Sequence, residues 1–166
     1  LELDHFTIPE AFNLPRRISS LAIFDIPIFC TRYMSYIILT VKDPNDYVLK
    51  KKMLDKWLMS ICKDTVQSLC DAIYPKFQKY GVEYPVIRYR SMVSRWGSCQ
   101  PKRCILTFNY ALVEAPISCI EYVVVHEFTH FLQPNHSKKF YQQLAMFMPD
   151  WEERKKILEK GNSFVE

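Results

Sequence analysis

Three of the chain's four histidines fall within "VVVHEFTHFLQPNH", residues 123–136. His126 and His130 are four positions apart, so on a helix both imidazoles leave the same face and can reach one ion. Glu127 points about 100° around the helix from His126. It sits poorly as a third ligand beside them, but it can reach a water on the open side of the ion. This is the H-E-x-x-H arrangement, in which two histidines bind zinc and the glutamate acts as general base. The neighbouring residues are apolar, as in a core helix. Two histidines and a glutamate buried there without a compensating partner would be costly, and a metal removes that cost.

A catalytic zinc usually has three protein ligands and an open fourth position. His136 is the expected third ligand, because the break at Pro134 lets the chain turn back towards His126 and His130. Asp150, Glu152 and Glu153 compete for that place, since some zincins use a downstream acid, although these acids are better placed as helix caps. The same spacing of histidines occurs in metzincins, whose pattern has glycine where this chain has Gln133 followed by proline. Cys99 and Cys104 have the spacing of half a structural zinc motif, but only Cys119 follows them. His5 is remote in sequence and is expected on the surface.

These residues need a helix, a turn and a supporting sheet. Residues 18–41 carry the runs "ISSLAIF", "PIFC" and "YIILTV", which read as two or three strands. After "KDPND", apolar residues recur from Asp46 to about Lys79 at Met53, Leu54, Trp57, Leu58, Ile61, Cys62, Val66, Leu69, Cys70, Ile73 and Phe77. That is the stripe of a long amphipathic helix, with Pro75 a candidate kink. Lys50, Lys51, Lys52, Lys56 and Lys63 mostly fall off the stripe. "YPVIRYRSMVSRWGSC" and "RCILTFN" read as two strands joined at "QPK". Ala115-Pro116 opens the next helix, which is expected to run to about Gln133. Asn135 is expected to cap a further helix with Phe140, Leu144, Phe147 and Met148 on one face, and Asp150 and Glu153 have capping-box spacing ahead of a short charged helix.

The expected fold class is α+β: a small, mainly antiparallel sheet packed against the active-site helix and the long amphipathic helix. With 166 residues, 49% hydrophobic, 24% charged and only 3 glycines, the chain can bury a sizeable core, so a single domain over 1–166 is expected. Within it, 1–45 is a strand-rich part, 46–80 the long helix and 84–160 the core that carries the site. The chain opens on Leu1 and not on methionine, so its true start is left open.

The 6 cysteines are expected as free thiols, because a core of this size needs no disulfide staples. No stretch approaches the ~20 apolar residues of a membrane span, and "RRISSLAIFDIPIFC" is interrupted by Asp25 and Pro27 and so makes a poor signal peptide. A cytoplasmic protein without a membrane partner is expected. A net charge of +4 permits nucleic-acid contact without demanding it.

Four blocks in order, "SRWGSC" (94–99), "ILTFNYALVEAP" (105–116), "EYVVVHEFTHFLQPNHSKKFY" (121–141) and "MPDW" (148–151), make residues 84–160 resemble the YgjP-like metallopeptidases. These are zincin-fold proteins related more distantly to SprT-like and WLM-type proteases. The resemblance implies zinc bound by His126, His130 and His136, a catalytic Glu127, and "SRWGSC" on a strand beside the active-site helix. Arg95 is a candidate positive charge near a developing oxyanion. Trp96 is expected to pack, Asn109 to tie a loop to the backbone, and Tyr110 and Tyr122 are further candidate oxyanion donors.

The expected function is zinc-dependent hydrolysis of a peptide or protein by a metal-activated water, with one catalytic ion and Glu127 as general base. Two alternatives stay open. One is a zinc hydrolase of a non-peptide substrate such as a nucleotide phosphoanhydride. The other is a nucleic-acid-associated, SprT-like protease or binding module, suggested by the lysine-rich helix and by Arg154, Lys155 and Lys156. Substrate preference, oligomeric state and native metal are not legible at this level.

Overall fold

The computed structural model describes residues 4–7, 30–33, 36–39, 41, 43 and 45–160. Contacts group the chain into two compact units, residues 1–60 and 61–166. In the first, β1 (Asp4–Thr7), β2 (Cys30–Tyr33) and β3 (Tyr36–Leu39) form an antiparallel sheet in the order β1-β3-β2. The β2–β3 hairpin pairs Cys30 with Leu39 and Tyr33 with Tyr36. The strand expected over "ISSLAIF" lies outside the described residues, and so does the surface position expected for the His5 side chain.

Helix α1 (Tyr47–Gln78) begins in the first unit and runs into the second. Asp46 caps it, its Oδ1 accepting from Leu49 N–H at 2.9 Å. The helix stays continuous through Pro75, which is tolerated because it sits on the exposed side. Beyond Gln78 the chain turns at Gly81, whose φ of 79° suits the left-handed position after a helix. In the first unit Met53 is buried with Val41, and Leu54 and Trp57 pack against them. In the second unit Ile61, Cys62, Val66, Cys70, Ile73 and Phe77 are buried. Lys51, Lys52, Lys56 and Lys63 are exposed as expected, but Lys50 is only 5% exposed. It stands one turn before Met53 and Leu54, so its aliphatic stem joins the stripe.

The second unit is built on β4 (Val86–Arg90), β5 (Gly97–Gln100) and β6 (Ile105–Asn109), in the order β4-β6-β5. "YPVIRYRSMVSRWGSC" is therefore two strands with a loop between them, not one. β6 is central and buried at every position, antiparallel to β5 and parallel to β4. The β5–β6 connection is the short 3-10 turn Pro101–Arg103, closed by Cys104 N–H donating to the Pro101 carbonyl.

Three helices follow: α2 (Ile117–Thr129), α3 (Lys138–Phe147) and α4 (Trp151–Lys160). α2 packs against β5, α3 and α4. It ends at Thr129, short of the expected Gln133, because the next turn tightens: Phe131 N–H bonds to the Phe128 carbonyl and Leu132 N–H to that of Thr129. Ser137, not Asn135, caps α3, its hydroxyl accepting from Phe140 N–H. The Asp150 carboxylate accepts from Arg154 Nε at 2.8 Å. Arg154 also bonds Glu121 and donates to the Ser118 carbonyl at 3.1 Å, so it clamps α4 to α2. Phe77, Phe108, Phe128, Phe140, Leu106 and Leu144 are fully buried in this unit. Among the described residues no helix is long and apolar enough to cross a membrane.

Candidate metal centre

α2 ends where its chemistry begins. His126 lies in its last turn and His130 is the cap residue just beyond, still in helical conformation at φ −63° and ψ −20°. The one-turn spacing therefore survives the early end of the helix, and the two ring centroids lie 5.0 Å apart. The turn through Pro134 then carries the chain back, placing His136 Nε2 2.9 Å from His126 Nε2. The three side chains offer ligand atoms that all lie within 4.8 Å of one another.

Phe140, one turn into α3, seats the group from below. Its ring centroid is 4.9 Å from that of His126, 4.7 Å from His130 and 4.9 Å from His136. Phe140 is 0% exposed, so the three imidazoles rest on a fixed aromatic surface. Its place four residues after His136 was the available signal, and it reads in sequence only as core.

His130 Nδ1 lies 3.3 Å from the Gln133 carbonyl. That contact puts the proton on Nδ1 and leaves the Nε2 lone pair free for a metal. Two imidazole nitrogens at 2.9 Å must share a proton or a cation, and a cation serves all three rings together. For tetrahedral coordination at ~2.0–2.1 Å, ligand nitrogens would stand about 3.3 Å apart. The three ligand atoms lie within 4.8 Å of one another, close enough for one ion to reach all three, so the donor set fits a divalent transition metal. Burial and the neighbouring His130 and His136 push the His126 pKa down to about 3, and burial with His136 lowers that of His130. Both are thus neutral at ordinary pH, the form that ligation needs.

Glu127 is 6% exposed and leaves the helix towards β5. Burial pushes its pKa up to about 8, against the opposing pull of Arg95. Arg95 itself is exposed, in the loop ahead of β5. That loop is held as expected by Asn109, which is 2% exposed. Its Nδ2 donates to the Met92 carbonyl at 2.7 Å and the Arg95 carbonyl at 2.9 Å, while Oδ1 accepts from Met92 and Ala111 N–H at 3.2 Å each. Trp96 is half-buried, and its carbonyl accepts from Asn109 N–H.

The other candidates separate. Tyr122 is buried with its ring against His126 at 5.7 Å, and burial raises its pKa. Tyr110 instead stacks on Tyr89 at 6.1 Å, with Lys63 over its ring. Asp150, Glu152, Glu153 and the cysteines do not join the histidines: among the described residues only His126, His130 and His136 form a group able to hold a metal. Arg154 and Lys155 of the basic C-terminal helix are ion-paired, Lys155 with Glu159 at 3.5 Å.

A mixed sheet beside a helix that ends in two histidines defines an α+β protein with a three-histidine candidate metal site. The model of the YgjP-like metallopeptidase domain matches residues 30–161, and the chain belongs to that family. Two solved structures are similar. The metallopeptidase zymogen jannalysin of Methanocaldococcus jannaschii is 24% identical with a TM-score of 0.48, over 57% of this chain and 95% of that one. The metallopeptidase zymogen abylysin of Pyrococcus abyssi is 20% identical with a TM-score of 0.41, over 64% and 90%. No curated protein matches.

Proposed function

We propose that this chain is a zinc-dependent metallopeptidase in which His126, His130 and His136 hold one ion and Glu127 is the general base. The observation that carries this is the convergence of the three imidazoles beside a buried glutamate from the same helical turn. Membership of a metallopeptidase family supports the choice of a peptide or protein substrate.

When bound, the ion lowers the pKa of a coordinated water towards ~7 and polarises the scissile carbonyl. The protein supplies the proton traffic. A Glu127 carboxylate oxygen accepts the proton of the attacking water and then delivers it to the nitrogen of the leaving amine. Its burial suits the second step, because a raised pKa helps the carboxyl group hold the proton that it must return, while the first step needs the carboxylate, the form that a cation bound nearby would favour. β5 stands at one edge of the described sheet with Gly97 beside Glu127, so an extended peptide could add to that edge next to the residue proposed as base.

Cys62, Cys70, Cys99, Cys104 and Cys119 are free thiols, which suits the cytoplasm as the proposed compartment. The test is Glu127→Gln, assayed on a peptide library by mass spectrometry. We expect retention of zinc and a loss of cleavage of about 10²–10⁴-fold. Cleavage at the wild-type rate would remove Glu127 from the role of base.

A further inference from the structure

Gly97 opens β5, paired with Phe108 of β6. Its backbone lies outside the left-handed region, so nothing in its own conformation calls for glycine. What calls for glycine is space. A Cβ at position 97 would meet Glu127 Oε1 at 2.6 Å, Cγ at 2.7 Å and Cδ at 2.9 Å. All three are below van der Waals contact, and all three belong to the one residue.

The backbone of β5 cannot yield easily, so it is the Glu127 side chain that must move. β5 is fixed by its ladder to β6, by Asn109 N–H on the Trp96 carbonyl and by Asn109 Nδ2 on the Arg95 carbonyl. Glu127 sits at 6% exposure on a helix whose neighbours Val124, Val125 and Phe128 are all but fully buried. A methyl group on residue 97 would therefore be accommodated by turning the Glu127 side chain away from its place.

We infer that Gly97 is a positioning residue: its missing side chain is the slot in which the Glu127 carboxylate is held against β5, one residue along α2 from His126. The catalytic meaning of the slot rests on the proposed role of Glu127, but its existence does not. The same contact also accounts for a glycine in the middle of "SRWGSC", where a strand would otherwise favour a larger residue.

The experiment is a four-protein cycle of wild type, Gly97→Ala, Glu127→Ala and the double variant, each as the full chain. Thermal stability is measured after metal removal, and metal content and peptide cleavage as purified. Gly97→Ala is expected to lower Tm by about 5 °C or more in the Glu127 background. In the Glu127→Ala background, where Cγ, Cδ and Oε1 are gone, the same substitution is expected to cost little or nothing. Gly97→Ala should also keep the metal and cut kcat by about 10²-fold with KM little changed. If Gly97→Ala alone does not fold, recovery of folding in the double variant carries the same conclusion.

An equal loss of Tm in both backgrounds, a double variant that also fails to fold, or a Gly97→Ala protein with wild-type Tm and kcat would each overturn the inference. The stability coupling is independent of catalysis. A coupled Gly97→Ala beside a fully active Glu127→Gln would keep the slot and remove the general base.

Discussion

His126 Nε2 and His136 Nε2 stand 2.9 Å apart although ten residues separate them along the chain. A helix brings His126 and His130 together by its period alone, but His136 needs the Pro134 turn and a surface against which to stop. That surface is Phe140, in contact with all three rings.

Phe140→Ala should therefore cost twice. Loss of a fully buried phenylalanine is expected to destabilise by about 3–5 kcal/mol, read by urea unfolding. Loosening of the rings is expected to weaken metal affinity by about 10-fold or more, read by competition with a chelator. Phe140→Leu should recover most of the stability and only part of the affinity. Wild-type affinity in both variants would show that the rings do not depend on this seat.

Asn109 should matter to stability beyond its size. Asn109→Ala removes two bonds to the Met92 and Arg95 carbonyls and two from the Met92 and Ala111 N–H groups. At about 1 kcal/mol for each buried bond, a loss of about 3–4 kcal/mol is expected in urea unfolding. Asn109→Asp keeps the acceptor but sets an oxygen against two carbonyls, so it should give no recovery. A loss below 1 kcal/mol for Asn109→Ala would mean that the loop 91–96 holds itself.

The buried thiols predict a direction with pH. Burial pushes Cys62 up to about 11 and Cys70 up to about 12, from an ordinary 9.0. Folding therefore favours the protonated thiols, and their contribution is fully present below pH 9. It is lost as pH rises from there through 11 and 12, because the unfolded chain ionises first. Urea midpoints should fall between pH 9 and 10.5, and iodoacetamide should label these two cysteines at pH 8 only in the unfolded chain. Labelling of Cys62 in the folded protein at pH 8 would contradict their burial.

What was legible in the sequence is what depends on local period and turn chemistry. The four-residue step between His126 and His130 and the long stripe of α1 are of this kind, and each is found where expected. The misses have distant causes. β4 and β5 look like one strand because the loop 91–96 contains no glycine or proline, and it is Asn109, on another strand, that bends the chain there. The parallel pairing of β4 with β6 leaves no local mark either.

Ser137 and Asn135 are both good capping residues, so only the fold decides between them. α2 stops at Thr129 through tightened turns that its apolar pattern does not foretell. The tight fit of Gly97 against Glu127 joins residues of β5 and α2 and could not be read from either segment alone.

The most direct test of the central claim is elemental analysis of freshly purified protein, wild type beside His136→Ala and the triple variant His126→Ala/His130→Ala/His136→Ala. The account predicts about one equivalent of zinc per wild-type chain, a large loss in His136→Ala and none bound in the triple variant. Zinc retained at wild-type stoichiometry by the folded triple variant would contradict it.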